Sequence, residues 1–304
     1  MTAWHDRVVD AGDVDIAVRD HGGDGPPVVL LHGAGGNLAH WSGFAPGLAE
    51  RHRVVALDLR GHGRSGTAPW SWSGALADIA AVADALTLQR PAIVGVSLGG
   101  MLAALWAAAH PECPAAVNLD GHPVPGTPDQ YDGMDPARLT AEMDRIRATF
   151  TAITTALTAP LDAAQVAALR EHQRAAAERM GALPAPFVEG FDRNLVWDGD
   201  RAHLRPGPEV LTTLRAALDD LDLRSVYARV TCPLLVVLAT TDLPEQQGFA
   251  ELTAAHRRGL NRDLARLAAA NPALRVVDLD GASHAMLVQQ PERVRALIDG
   301  MLRP

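Results

Sequence analysis

Short runs of aliphatic residues recur along the chain and end in glycine-rich or polar turns. Such continuous apolarity is typical of strands that are covered on both faces. Val14, Ile16 and Val18 instead alternate with mostly polar residues, which predicts an antiparallel strand with one face in water. Helical stretches lie between several runs, so the pattern predicts an α/β fold with a mostly parallel sheet flanked by helices. The predicted buried strands are 27–31, 53–59, 92–96, 115–119, 234–239 and 274–279, and the clearest helices are 98–109 and 249–270.

This rhythm is interrupted between residues 122 and 225, where amphipathic helices and prolines occur without a convincing strand. We expect a core formed by residues 1–121 and 226–304, and a helical cap, 122–225, inserted between the sixth and seventh strands. An insertion beyond the strand ends lies where α/β sheets bind ligands. One helical face in the cap is apolar at spacings of three and four: Leu139, Met143, Ile146, Phe150, Ile153 and Leu157.

Charge and composition exclude several functions. The 304 residues include 27 basic and 36 acidic side chains, a formal charge of −9, which disfavours a nucleic-acid partner. All the basic residues are arginine, so neither a Schiff-base lysine nor a phosphate-loop lysine is available. The chain has no H-E-x-x-H and no paired C-x-x-C motif, so we expect no bound metal.

The hydropathy pattern predicts a soluble protein. Residues 91–109 carry no charge and are about as long as a bilayer crossing. The glycines at 95, 99 and 100 favour a buried strand that turns into a buried helix, so no membrane partner is expected. Charges among residues 1–13 argue against a secretory signal, and Cys113 and Cys232 are expected as reduced thiols in the cytoplasm. A disulfide between them is the minor alternative.

The strongest chemical signal is Gly95-Val96-Ser97-Leu98-Gly99, between a predicted strand and a predicted helix. A G-x-S-x-G pattern in this context holds a serine hydroxyl outward on a sharp turn, and the flanking small residues relieve crowding there. An ordinary glycine-rich turn would give the same pattern. The interpretation therefore requires partners for Ser97 elsewhere in the chain.

Serine needs an adjacent base, and the base needs a group that orients it. His284 lies in the loop after the last predicted strand, and Asp242 follows the strand 234–239. Ser97, Asp242 and His284 then occur in the order nucleophile, acid, base. Asp120, at the end of the strand 115–119, is the alternative acid, and three other histidines at strand ends are rival bases: His32, His62 and His122.

The chain resembles the α/β-hydrolase superfamily, in its cofactor-free serine hydrolase branch with a helical cap. The resemblance covers the chain apart from the cap. It implies an oxyanion hole formed by the backbone N–H groups of Ala34 and Leu98. Separately, we expect a substrate pocket near His32 and Gly33, with Trp197 of the cap in contact with it. The matching segments are Leu31-His32-Gly33-Ala34-Gly35-Gly36, Asp58-Leu59-Arg60-Gly61-His62-Gly63-Arg64-Ser65, the turn at Ser97, and Gly281 to His284 with Pro291-Glu292.

We therefore expect an enzyme that cleaves a small or medium carboxylic ester, thioester or lactone through an acyl-enzyme on Ser97. Carbon-carbon bond hydrolysis, a lyase or a perhydrolase reaction would use the same residues, and a non-catalytic ligand-binding protein is a further alternative. The expected partner is a small-molecule substrate, and the oligomeric state is left open.

Residues 61–66 also match the dinucleotide-binding pattern G-x-G-x-x-G. Pro69 lies where the dinucleotide-binding helix would begin, so we reject a dinucleotide site here.

Overall fold

A computed structural model describes residues 4–124 and 126–303, and within them every side chain except those of Phe150 and Glu245. An eight-stranded sheet has the order β1-β2-β4-β3-β5-β6-β9-β10. β2 pairs antiparallel with β1 and β4, and all other neighbours are parallel. This topology confirms the predicted α/β fold. The strands are β1 (His5–Asp10), β2 (Asp15–Asp20), β3 (Pro27–Leu31), β4 (Arg53–Leu57), β5 (Ala92–Val96), β6 (Ala116–Leu119), β7 (Leu195–Asp198), β8 (Arg201–Leu204), β9 (Leu234–Ala239) and β10 (Leu274–Leu279).

Helices cover both faces of the sheet, and this explains the continuous apolar runs. Successive residues of β3 alternate between two hydrophobic clusters, with Val29 and Leu31 on one side and Val28 and Leu30 on the other, all inaccessible to solvent. The helices are α1 (Ala45–Ala49), α2 (Trp72–Ala85), α3 (Leu98–Ala109), α4 (Pro136–Leu157), α5 (Ala163–Arg179), α6 (Pro184–Arg193), α7 (Pro208–Asp219), α8 (Leu223–Arg229), α9 (Ala250–Ala270), α10 (Met286–Gln289) and α11 (Pro291–Leu302); short 3-10 helices span Leu38–Trp41, Pro128–Gln130 and Pro244–Phe249.

The antiparallel end of the sheet differs from the expectation. Residues 16–20 of β2 are all buried, although the alternation predicted one wet face. Arg19 can be buried there because its guanidinium pairs with Asp6 and with Glu189 from the cap, each at 2.7 Å. The sequence did not predict β1, because Val9 is its one buried residue and its apolar residues show no regular spacing.

The insertion lies between β6 and β9, the sixth and seventh strands of the large sheet. It contains α4 to α8 and also a two-stranded antiparallel sheet, β7–β8, so the expectation of no strand in this region was wrong. The hairpin turns at Gly199, whose φ of 60° is unusual for residues with a side chain. α8 packs into the core cluster beside α3, and the predicted boundary at 225/226 falls within it. The domain boundaries therefore stay predictions.

The apolar face of α4 divides into two parts. Leu139 and Met143 are buried in a small cluster with Leu252 and Ala255 of α9. Ile153 and Leu157, nearer the end of the helix, are 48% and 51% exposed. The side chain of Phe150 lies outside the described part of the structure. Only the first half of this face is therefore packed against the core.

Buried charge attaches α6 to the core. Arg193, at the end of α6, contacts Asp58 at 2.7 Å and Asp6 at 3.3 Å, and the Asp58 side chain is inaccessible to solvent. Asp58 also accepts hydrogen bonds from the backbone N–H groups of Leu38 and Arg64. This contact fixes one end of α6 against the loops that follow β3 and β4.

The uncharged stretch 91–109 forms β5 and α3. Across residues 4–124 and 126–303, the helices lack either the length or the hydropathy that a membrane crossing requires. Cys113 and Cys232 are both buried and free.

Removing the Arg193 charge should leave Asp58 buried without its partner. We expect Arg193→Met to lower the free energy of unfolding by about 3–5 kcal/mol, measured by urea denaturation. The matched control is Arg215→Met, which breaks an exposed helical pair with Asp219 and should cost about 0.5 kcal/mol or less. An equal loss of the free energy of unfolding in the two variants would contradict the prediction that the buried pair contributes more to stability than the exposed pair.

Candidate active site

Ser97 lies at the junction of β5 and α3 in a strained turn. Its φ of 56° and ψ of −118° are rarely adopted by residues with a side chain. A Cβ on Gly95 would lie 2.0 Å from the Gly99 carbonyl oxygen, and one on Gly99 would lie 2.3 Å from that of Leu31. The small residues of the G-x-S-x-G pattern are therefore required by close backbone contacts, as the pattern predicted.

Asp120 directly follows β6 and contacts two neighbouring segments of the core. One carboxylate oxygen accepts the backbone N–H of Ala239 at 2.9 Å, and the other lies 2.7 Å from Nδ1 of His284. Burial opposes the charge on Asp120, but the hydrogen bonds from His284 and Ala239 outweigh it and hold the pKa of the carboxyl below its usual value. Asp120 is thus an ionised acceptor placed against the imidazole.

Asp242 is placed elsewhere, which corrects the preferred choice of acid. Its carboxylate accepts a hydrogen bond from Thr253 Oγ1 at 3.0 Å and pairs with the guanidinium of Arg257, both on α9. Its side chain makes no hydrogen bond to His284. The loop after β9 turns this carboxylate towards α9, where a full positive charge satisfies it, and Asp120 occupies the position beside the imidazole.

Ser97 and His284 line the same cavity, of about 490 Å³. Gly33 also lines it, and a Cβ there would lie only 3.0 Å from Cβ of Ser97. His40, which was not among the expected site residues, is a further member of the wall. Desolvation in the cavity lowers the pKa of His40, and repulsion from His284 adds to the effect.

The rival histidines are placed outside this cavity. His32 is fully buried, with Nε2 accepting the Leu59 N–H at 2.9 Å and Nδ1 donating to the Gly33 carbonyl at 2.7 Å. His62 is held by the Arg60 carbonyl, and His122 lines a separate small pocket beside Tyr227. Burial lowers the pKa of both His62 and His122 to about 4, so both rings are neutral at pH 7. None of the three faces Ser97 across the cavity.

The two expected oxyanion donors follow residues of the cavity wall along the chain: Leu98 follows Ser97, and Ala34 follows Gly33. Leu98 is the first residue of α3, and Ala34 lies in the turn after β3 that is closed by a hydrogen bond from Gly36 N–H to the Gly33 carbonyl, 3.0 Å. Within the described part of the chain, neither the Leu98 nor the Ala34 amide donates to another group. Free donors of this kind suit an oxygen that gains negative charge.

A cap residue holds the turn that carries Ala34. Asn194, which follows α6, donates to the Gly35 carbonyl at 2.8 Å and accepts from the Gly63 N–H at 3.1 Å. It also accepts from Nδ2 of Asn37, the N-cap of the 3-10 helix after the turn. No sequence pattern singled out Asn194, because the partners of its side chain lie more than a hundred residues away.

The pocket expectations are only partly matched. Gly33 lines the cavity, but His32 lies beneath it, and Trp197 is 48% exposed on β7 outside the lining. Of the cap side chains that line the cavity, the sequence singled out only Leu157, on the apolar face of α4, and it missed the others. The apolar residues of a cap helix show the same spacing whether they pack or bind. The main cap contributors are Leu157, Met180, Phe187, Phe191, Leu204 and Arg205.

Residues 26–200 match the model of the alpha/beta hydrolase fold, and the chain belongs to this family. The matched region includes β3, the Ser97 turn, Asp120 and most of the cap.

Individual relatives are similar over shorter regions. A pimeloyl-[acyl-carrier protein] methyl ester esterase from Aeromonas hydrophila is 36% identical over 118 residues, 38% of this chain and 45% of the relative. A fluoroacetate dehalogenase from a Burkholderia species is 37% identical over 113 residues, 35% of this chain and 37% of the relative. The chain thus aligns with less than half of the length of these proteins.

Solved structures are similar over the whole chain. E-2-(acetamidomethylene)succinate hydrolase superposes with a TM-score of 0.71, 22% identity and 99% coverage of both chains. The enol-lactonase from Burkholderia xenovorans LB400 gives a TM-score of 0.63 at 21% identity, covering 97% of this chain and 99% of the other. At these identities the likeness shows the fold.

The two aspartates can be compared directly with an activated ester such as a p-nitrophenyl ester. We expect Asp120→Asn to lower kcat by about 10³- to 10⁴-fold, because an amide does not hold the imidazole in the required tautomer and charge state. Asp242→Asn, the matched control, should change kcat by no more than about threefold. Full activity in Asp120→Asn with a collapse in Asp242→Asn would restore the acid favoured by the sequence order.

Proposed function

We propose that this protein is a serine hydrolase that cleaves carboxylic esters through an acyl-enzyme on Ser97. The observation that carries the proposal is the hydrogen bond between His284 and Asp120, in the wall of the cavity that Ser97 lines. Relatives named as methyl ester esterases support the reaction class.

The hydrogen-bond pattern assigns the protons. An ionised carboxylate can only accept, so Nδ1 of His284 carries the proton towards Asp120 and Nε2 is left as the basic nitrogen. In the proposed reaction Nε2 takes the proton of the Ser97 hydroxyl as the oxygen attacks the carbonyl carbon. The imidazolium then gives that proton to the leaving alcohol, and Asp120 stabilises the positive ring between these events.

Negative charge on the carbonyl oxygen would be met by the N–H groups of Leu98 and Ala34. Such donors act mainly in the transition state, and losing one typically costs about 10²- to 10³-fold in kcat. Water, activated by the same imidazole, would then release the acid from Ser97. The residue in the turn between β5 and α3 is a serine rather than an aspartate. This favours ester hydrolysis through an acyl-enzyme over dehalogenation, despite the similarity to a dehalogenase.

The cavity supports a small or medium acyl group. Its volume of about 490 Å³ lies in the usual range for small-molecule sites, and aromatic and aliphatic cap side chains form much of its wall. Thioesters and lactones present the same carbonyl chemistry to Ser97 and belong to the proposal as related substrates. We further propose that the protein acts in the cytoplasm, because two buried free thiols are typical of a reducing compartment.

Ser97 itself provides the decisive test. We expect Ser97→Ala to keep its fold and lose about 10⁴-fold or more of kcat on a p-nitrophenyl ester, because no other side chain replaces the nucleophile. Circular dichroism and thermal unfolding control for folding. A fluorophosphonate probe should label the unmodified protein at Ser97, as located by peptide mass spectrometry.

Two results would contradict the proposal. Hydrolysis by folded Ser97→Ala at the original rate would remove Ser97 from the reaction. Stable ligand binding without labelling or turnover would favour a non-catalytic binding protein on the same scaffold.

A further inference from the structure

One arginine that lines the cavity has no carboxylate partner within the described part of the chain. Arg205, which follows β8 in the cap, lines the cavity together with Ser97 and His284. Within the described part of the chain, every other arginine that lacks a carboxylate partner is exposed on the surface, whereas Arg205 is partly buried. This contrast identifies an uncompensated charge at the substrate site.

The guanidinium is held in place but not neutralised. It donates to the Gly63 carbonyl at 3.0 Å and to Oγ1 of Thr67 at 2.7 Å, and its backbone N–H donates to the Asn194 carbonyl at 2.8 Å. These bonds use two of the five guanidinium N–H groups, so three remain for a ligand. Arg205 is therefore a positioned donor rather than a mobile surface chain.

The carboxylate that attracts Arg205, Asp58, already has other partners. Asp58 pairs with Arg193 at 2.7 Å and accepts two backbone N–H groups. Burial lowers the pKa of Arg205, and attraction from Asp58 offsets only part of the effect. A partly buried cation of this kind is stabilised when a ligand supplies the anion.

The rest of the wall restricts what that ligand can be. Aromatic and aliphatic side chains, among them Phe187, Phe191 and Leu211, surround the cavity. A guanidinium fork matches carboxylate and phosphate geometry equally. One cation balances the single charge of a carboxylate, whereas a phosphate dianion would keep an unbalanced charge among apolar groups, so the site favours a carboxylate.

We propose that Arg205 binds a carboxylate at the end of the substrate away from the scissile ester, so that the preferred substrates are half-esters of dicarboxylic acids. The inference rests on the proposed hydrolase function and names its substrate class. In this arrangement Ser97 attacks the ester carbonyl while the apolar wall holds the connecting methylene groups. Arg205 is then a specificity residue that contacts the substrate but not the reacting atoms.

The test compares two methyl esters of each chain length, one ending in a carboxylate and the other in a carboxamide. Hydrogen bonds to charged groups contribute about 1.5–3 kcal/mol, so at the optimal length the ratio of kcat/KM for carboxylate over carboxamide should be about 10- to 100-fold. Arg205→Gln should bring this ratio close to one. Arg205→Lys keeps the cation and should retain a ratio above about threefold.

The matched control is Arg275→Gln, on an exposed part of β10, which should leave the ratio as in the unmodified protein. A ratio near one in the unmodified protein, or a ratio that survives in Arg205→Gln, would overturn the inference. So would a folded Arg205→Lys protein without any preference for the carboxylate.

Binding to the Ser97→Ala protein separates this inference from the reaction itself. Calorimetry with monomethyl adipate should give a Kd that weakens about 10- to 100-fold when Arg205→Gln is added. Arg205-dependent binding of monomethyl adipate, together with an absence of esterase activity in the unmodified protein, would support the anion site and defeat the hydrolase proposal. Esterase activity in the unmodified protein with monomethyl adipate binding that does not depend on Arg205, or tighter binding of inorganic phosphate than of monomethyl adipate, would defeat the carboxylate inference alone.

Discussion

The candidate site depends on one carboxylate that contacts two parts of the core. Asp120 accepts the Ala239 N–H with one oxygen and lies against the His284 imidazole with the other. Both contacts exist because β6 and β9 are neighbours in the sheet, with Leu119 opposite Val237. The hydrogen bonds on both oxygens favour the charged form of this half-buried carboxylate against the cost of its burial. The position of the His284 imidazole thus depends on the pairing of β6 with β9, two strands that the cap insertion separates along the chain.

The cap adds a second dependence. Arg193 fixes α6 by its buried contact with Asp58, and Asn194, the next residue, holds the Gly35 carbonyl in the turn that carries the Ala34 amide. The same segment places Phe187 and Phe191 on the cavity wall. The cavity wall and the turn that carries the Ala34 amide therefore share one support. A change in this part of the cap would alter the proposed site without touching Ser97.

The histidines differ in how far their rings are buried. Desolvation lowers the pKa of His62, His122 and His256 to about 4, and these rings are neutral packing or hydrogen-bonding groups at pH 7. The side chain of His284 is 39% exposed and faces the cavity, with an ionised carboxylate behind it. A ring that must gain and lose a proton requires this combination of solvent access and a charge partner.

The sequence by itself determined what depends on neighbours along the chain. Continuous apolar runs identified the buried strands, and the turn around Ser97 was readable because backbone crowding there demands glycine at fixed offsets. The choice between Asp120 and Asp242 was not readable, since both follow strands that are adjacent in the sheet and only Arg257 on α9 draws one away. β1, the β7–β8 hairpin, Asn194 and Arg205 were missed for the same reason. Their roles arise from partners distant in sequence, which only the folded chain brings within hydrogen-bond distance.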